Sequence, residues 1–147
     1  MYAALLHTHN FTRWIVLVLG VMTLVKAFQG LQGDRPYDAT RRYTAMFMGS
    51  LHLQILLGLL LFMQSPTIRN AMRDMEATMA DAAQRFFVAE HPTFMIVAAI
   101  LMTVGSIVAK SGATNAKKHQ RAAIFTVITM AIVLHGIPWG RPLFPGM

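Results

Sequence analysis

Four apolar stretches, over residues 10–28, 42–63, 92–109 and 121–137, take up more than half of this chain. Each holds roughly 17–22 residues, the length a helix needs to cross about 30 Å of hydrocarbon. A segment that leaves water must satisfy every backbone amide internally, so such stretches can only be helical. The sequence therefore predicts an all-α fold, a single membrane domain over residues 1–147 built as an integral membrane four-helix bundle. Only 13% of the residues are charged, about half the share in soluble domains, which favours a bilayer over a soluble core.

Punctuation between the stretches agrees with this division. Gly30, Gly33, Asp34 and Pro36 fall in the first connection, Gly112 in the last, and Pro138 ends the fourth stretch. Pro92 suits the first turn of the third helix. Between the second and third stretches, residues 66–90 read differently. Ser65-Pro66-Thr67 forms a helix start, and Ile68, Met72, Met75, Met79, Ala82 and Phe86 recur at three- and four-residue steps. Arg69, Arg73, Asp74, Glu76 and Asp81 take the other side. This predicts one amphipathic helix, too polar to span, lying at the interface or capping the bundle as a lid. Its methionines read as packing surface, which makes copper an unlikely ligand.

The formal net charge of +7 would raise nucleic acid in a soluble protein. Here the cations flank apolar segments and no basic stripe with interleaved aromatics appears, so no nucleic-acid partner is expected. The absence of cysteine excludes disulfides, thiolate zinc sites and cysteine-held iron–sulfur clusters. Residues 1–10 lack a basic n-region and no cleavage site follows Val25, so the first stretch reads as a retained helix. Lys26, Arg35, Arg41 and Arg42 border the first connection and Lys110, Lys117, Lys118 and Arg121 the last. Those loops are expected to face the cytoplasm, with both termini and the lid on the periplasmic side of a bacterial inner membrane. Arg13 and Arg141 run against that trend. No nucleophile elbow, phosphate loop or HExxH pattern occurs, which leaves hydrolase or transporter chemistry unsupported.

Chemistry is carried by histidines. His9, His52, His91 and His135 lie in or at the ends of the four stretches, where ionisable groups are expensive and normally face a polar interior. Imidazole is also a ligand for haem iron and other metals. At 1.5 Å per residue, His9 and His91 sit level at the outer ends, His52 lies about 15 Å in from Arg42, and His135 about 21 Å in from Arg121. His7 and His119 read as solvated. A weak repeat relates His9-Asn-Phe-Thr, running on to Lys26, with His91-Pro-Thr-Phe, running on to Lys110. In an up-down bundle the first and third helices are diagonal, as are the second and fourth. His9 with His91 then forms a level pair, His52 with His135 a pair offset by roughly 6 Å, and His91 with His135 is a further option. Purely structural roles compete: His9 anchored beside Trp14, His91 paired with Glu90, and His52 bonded to Ser50, Gln54 or Thr129.

Four segments, His9-Asn-Phe-Thr-Arg-Trp14, Leu51-His-Leu-Gln-Ile-Leu-Leu-Gly58, Arg85-Phe-Phe-Val-Ala-Glu-His-Pro92 and Ile137-Pro-Trp-Gly-Arg-Pro-Leu-Phe-Pro-Gly146, resemble the small four-helix bacterial membrane proteins labelled cytochrome b-like. The resemblance implies haem b, one or two, and electron transfer. It bears on His9, His52 and His91, which lie inside the matching segments, more than on His135. Arg13 and Arg85 are then candidates to meet haem propionates, and a membrane quinone or redox protein is the expected partner. The alternative is a cofactor-free accessory subunit of a larger membrane complex. Either reading is compatible with a homo-oligomer.

Overall fold

A computed structural model describes residues 2–33 and 35–140; Met1, Asp34 and residues 141–147 lie outside the described residues, and with them Arg141 and most of the last resembling segment. Among the described residues every regular element is helical, in the order α1 (Tyr2–Leu31), α2 (Asp38–Gln64), α3 (Pro66–Ala71), α4 (Met75–Ala80), α5 (Ala82–Arg85), a π turn (Phe86–Glu90), α6 (His91–Lys110) and α7 (Asn115–Gly136). Three segments are long and apolar enough to cross a membrane: Tyr2–Leu31, Asp38–Gln64 and Ala82–Lys110. The expected fourth, α7, is 22 residues long, but Lys117, Lys118, His119, Gln120 and Arg121 occupy its first turns and shorten its apolar part.

The four long helices contact one another in a ring, α1 against α2 and α7, and α6 against α7 and α2. That leaves α1 diagonal to α6 and α2 diagonal to α7. Val16, Phe47, Leu51, Ala98, Met102 and Val133 meet in the middle, one or two from each helix. Small residues bring the helices close. A side chain at Gly20 would run into Met130, and one at Gly105 into Phe125. Many large apolar side chains point outward instead, among them Val18 and Val21 of α1, Leu53 and Leu56 of α2, and Ile100 and Ile107 of α6. A chain folding in water would bury such surface; lipid covers it at no cost.

Two expectations are corrected here. The first helix starts at Tyr2 rather than near Asn10, because nothing before Gly30 breaks a helix; His7 is an exposed residue of that helix. The single lid helix over 66–90 is instead three short helices. The breaks fall at Asp74 and Asp81, whose carboxylates accept from Ala77 N at 3.0 Å and Gln84 N at 2.8 Å. An aspartate that caps the next turn competes with continuation of the previous one. Ile68, Ala71 and Thr78 form the buried face, and Thr78 Oγ1 donates to Ala71 O at 2.7 Å, tying α4 back to α3. Met72, Met75 and Met79 are exposed, Met72 at 54%, so the methionine stripe is not the packing surface its spacing predicts.

The third apolar segment also begins earlier than Pro92. Its helix runs on from Ala82 through the π turn, where His91 N–H bonds to Phe86 O. Proline lacks an N–H and clashes with the carbonyl four residues back. An inserted π residue just ahead of it relieves that conflict, and such bulges recur at functional sites.

Candidate functional site

At the end of the ring that carries the lid, α1 and α6 each present a histidine toward the interior. The ring centroids of His9 and His91 are 6.3 Å apart, with the ring planes at 74°. These are the two histidines that depth alone placed level, on diagonal helices. Two imidazoles on opposite sides of one metal ion, with bonds near 2 Å, have ring centres roughly 6 Å apart.

Each histidine is fixed by a neighbour. His91 Nδ1 lies 2.7 Å from Gly136 O at the end of α7. A carbonyl only accepts, so Nδ1 carries the proton and donates, leaving the Nε2 lone pair available. A ring nitrogen donating to a backbone carbonyl is the usual way a metal-binding histidine is oriented. His9 is held through its backbone: Gln54 Nε2 of α2 donates to His9 O at 2.9 Å, and the Gln54 side-chain oxygen accepts from Thr12 Oγ1. Gly58 faces the His9 ring, and a Cβ there would stand 3.2 Å from its Cε1. Phe86 of the π turn lies 6.0 Å from the His91 ring. Arg13, whose guanidinium sits 5.7 Å above the Trp14 ring, is close enough to act electrostatically on both imidazoles.

One atom of this arrangement is unaccounted for. Buried polar atoms nearly always have a partner, yet His9 Nδ1 has none; Tyr37 Oη and Thr129 Oγ1 share that state among the described residues. Of these three, only His9 Nδ1 is a nitrogen suited to a metal. Imidazole nitrogens are donors of the type that haem iron accepts. Among the described residues there is no group of three or more His, Cys, Asp or Glu side chains of the kind that holds a bare metal ion.

The other expected site residues fall elsewhere. His52 is exposed on the outer side of α2, its Nδ1 turned back to Met48 O at 2.8 Å and its Nε2 3.4 Å from Thr103 Oγ1. Gly49, one turn away, meets only open space. His135 is exposed on α7, edge-on to Phe94 at 4.9 Å. The second proposed pair is thus not assembled, because α2 and α7 turn these two residues away from their shared interior. His91 makes no ring contact with His135 either; its partner on α7 is the Gly136 carbonyl. Arg85 is committed to Glu90 through a 2.8 Å ion pair and to Met79 O at 2.9 Å, which corrects the expected role of Glu90 beside His91.

His119, expected from the sequence to be solvated, is instead buried. It is 1% exposed, with Nδ1 3.0 Å from Thr40 Oγ1 and Nε2 2.9 Å from Arg35 O. Its ring stands edge-on to Tyr37 at 5.4 Å, and Gly30 leaves the space it fills. Burial pushes the Tyr37 hydroxyl above its ordinary range. The available clue was Gly30 in α1 opposite a histidine one turn into α7, but only the fold brings them together. No family model, curated protein or solved structure matches the chain.

Proposed function

We propose that the protein is a membrane electron carrier, or the electron-transfer subunit of a larger complex, in which His9 and His91 hold the iron of one haem b. The observation that carries this reading is the facing pair itself: two imidazoles 6.3 Å apart, one oriented by a carbonyl and the other with a buried nitrogen lacking a partner. The resemblance of the segments around His9 and His91 to cytochrome b-like proteins supports it from a separate direction. A second haem has no pair to hold it, since His52 and His135 are apart and exposed.

Haem bound here supplies one-electron transfer. The chain's own contributions follow from its contacts. Gly136 O holds the His91 tautomer, Gln54 and Thr12 brace the backbone of α1 at His9, and Val16, Leu51 and Val133 exclude water below. Arg13 is the cation we assign to a propionate; Arg85 is instead bonded to Glu90 and Met79 O.

In this reading α7 completes a four-span bundle, with the basic end in the cytoplasm by the positive-inside rule and the histidine end outward. The redox partner, a quinone or a protein, then meets the outer end. The test is a reduced-minus-oxidised optical spectrum of protein purified from haem-replete membranes. An alpha band from a six-coordinate b-type haem is expected, at a stoichiometry near one; a colourless protein overturns the assignment.

A second reading has its own support. The His9–His91 ring pair also serves as a packing contact between diagonal helices, and α2 carries an exposed apolar ridge of Leu53, Leu56, Leu59, Leu60 and Met63. A cofactor-free accessory subunit, or a homo-oligomer, would use that ridge as an interface. It predicts a colourless protein that co-purifies with a stable partner.

A further inference from the structure

A second feature lies at the opposite end, on the outer face between α1 and α7. There Phe28 and Leu31 of α1 and Gln120, Ile124, Val127 and Ile128 of α7 line a groove of about 320 Å³. Gln120 is its one polar wall. From Gln120 to Ile128 the groove follows about 12 Å of helix rise, most of the roughly 15 Å depth of one bilayer leaflet. A shallow apolar slot of that length, open along its side, has the shape of an extended acyl chain.

Its mouth is basic. Lys117 stands one turn beyond Gln120 on the same face of α7, since residues three apart are neighbours on a helix. Arg35, exposed, is held beside this turn by the bond between its carbonyl and His119. Lys26, Arg41, Arg42, Lys110, Lys118 and Arg121 belong to the same end of the molecule, and Asp38 is the only carboxylate there among the described residues. Clusters of this kind next to membrane helices attract anionic headgroups.

We infer that the α1–α7 groove is a binding site for one anionic phospholipid, its chain along Phe28, Ile124 and Val127 and its phosphate held by Lys117 and Arg35. The inference rests on the membrane reading of the chain and is independent of haem. Full-length protein in mild detergent, offered equal amounts of phosphatidylglycerol and phosphatidylcholine with matched chains, is examined by native mass spectrometry. Phosphatidylglycerol is expected to be retained about fivefold or more over phosphatidylcholine, the ratio that one or two added basic contacts supply. The preference should fall to near parity in the Lys117→Glu/Arg35→Glu variant and persist in Lys110→Glu, which changes the same net charge sign on α6, away from the groove. Val127→Trp, at an exposed position, should fill the slot and release the lipid with every cation intact. Parity in the unmodified protein, an equal loss in Lys110→Glu, or retention in Val127→Trp overturns the site. So does a dimer that survives delipidation, which would assign this face to a second copy.

Discussion

The two ends of this molecule each hold histidine between helices, fully buried at one end and half-buried at the other, and they treat it in opposite ways. At the basic end His119 has both ring nitrogens engaged, by Thr40 and by Arg35 O, and Tyr37 and Gly30 close around it. At the lid end His9 and His91 face each other with one nitrogen bonded to Gly136 O and another, His9 Nδ1, buried with no partner. A fully satisfied buried polar group fixes how helices meet, whereas an unsatisfied one costs about 1–3 kcal/mol. Burial of a histidine is thus a poor guide to function; what its nitrogens lack is the better one. Between the two ends lies the apolar layer of Val16, Leu51, Met102 and Val133, so neither end shares polar contacts with the other.

The strongest way to break this contrast is to remove the rings one at a time. If the proposed haem is bound, His91→Ala or His9→Ala should abolish its alpha band while the helical circular dichroism persists. His119→Ala should leave the band at full intensity per folded molecule. A folded His119→Ala protein without pigment, or a pigmented His91→Ala protein, would mean that the ends have been assigned the wrong way round.

Stability should show the reverse order. His119→Ala opens a cavity and strands the Thr40 hydroxyl and the Arg35 carbonyl, at a cost of about 2–4 kcal/mol. In a chain of this size that corresponds to a Tm lower by roughly 5–15 °C, readable by thermal unfolding in detergent. His119→Asn, which keeps a donor and an acceptor near the same places, should recover part of the loss. His9→Ala frees a buried nitrogen from an unsatisfied site, so apo-protein stability should fall by less.

A finer test uses two glycines. A methyl group at Gly30 collides with the His119 ring, which is locked on both sides, whereas one at Gly58 comes within 3.2 Å of His9 Cε1, a ring edge able to give. Gly30→Ala should cost about 1–3 kcal/mol by overpacking. Gly58→Ala should cost under about 1 kcal/mol yet shift or weaken the haem spectrum. Equal thermal losses from the two would show that both rings are held with the same rigidity.

Much of this was legible before the fold was seen, and the failures are specific. Apolar length gave the helices, and rise per residue put His9 and His91 on one level, because depth in a helix depends only on counting. Rotation about the helix axis is a different matter: it is set by which small residues, such as Gly20 and Gly105, let neighbours approach. Counting therefore did not show that His52 and His135 turn outward. The lid misled for a local reason. The three- and four-residue recurrence of methionine matched a helix, but Asp74 and Asp81 capped new turns and reset the phase. His119 was missed because its charged neighbours, Lys117, Lys118 and Arg121, look like a solvated loop, while its partners Gly30, Arg35 and Thr40 are more than seventy residues away in sequence.

The smallest expected effects belong to the two histidines that fall outside both ends. His52 bonds to the carbonyl one turn behind it and reaches Thr103 only at 3.4 Å; His135 offers Phe94 a ring edge and nothing more. Exposed side chains with such partners contribute within about 0.5 kcal/mol. His52→Ala and His135→Ala should therefore leave both Tm and the optical spectrum close to those of the unmodified protein. Loss of pigment in His52→Ala would require α2 to rotate inward when haem binds, carrying Gln54 away from His9 O. That would make the bracing of His9 by α2, rather than the level of the two rings, the feature that decides where iron is held.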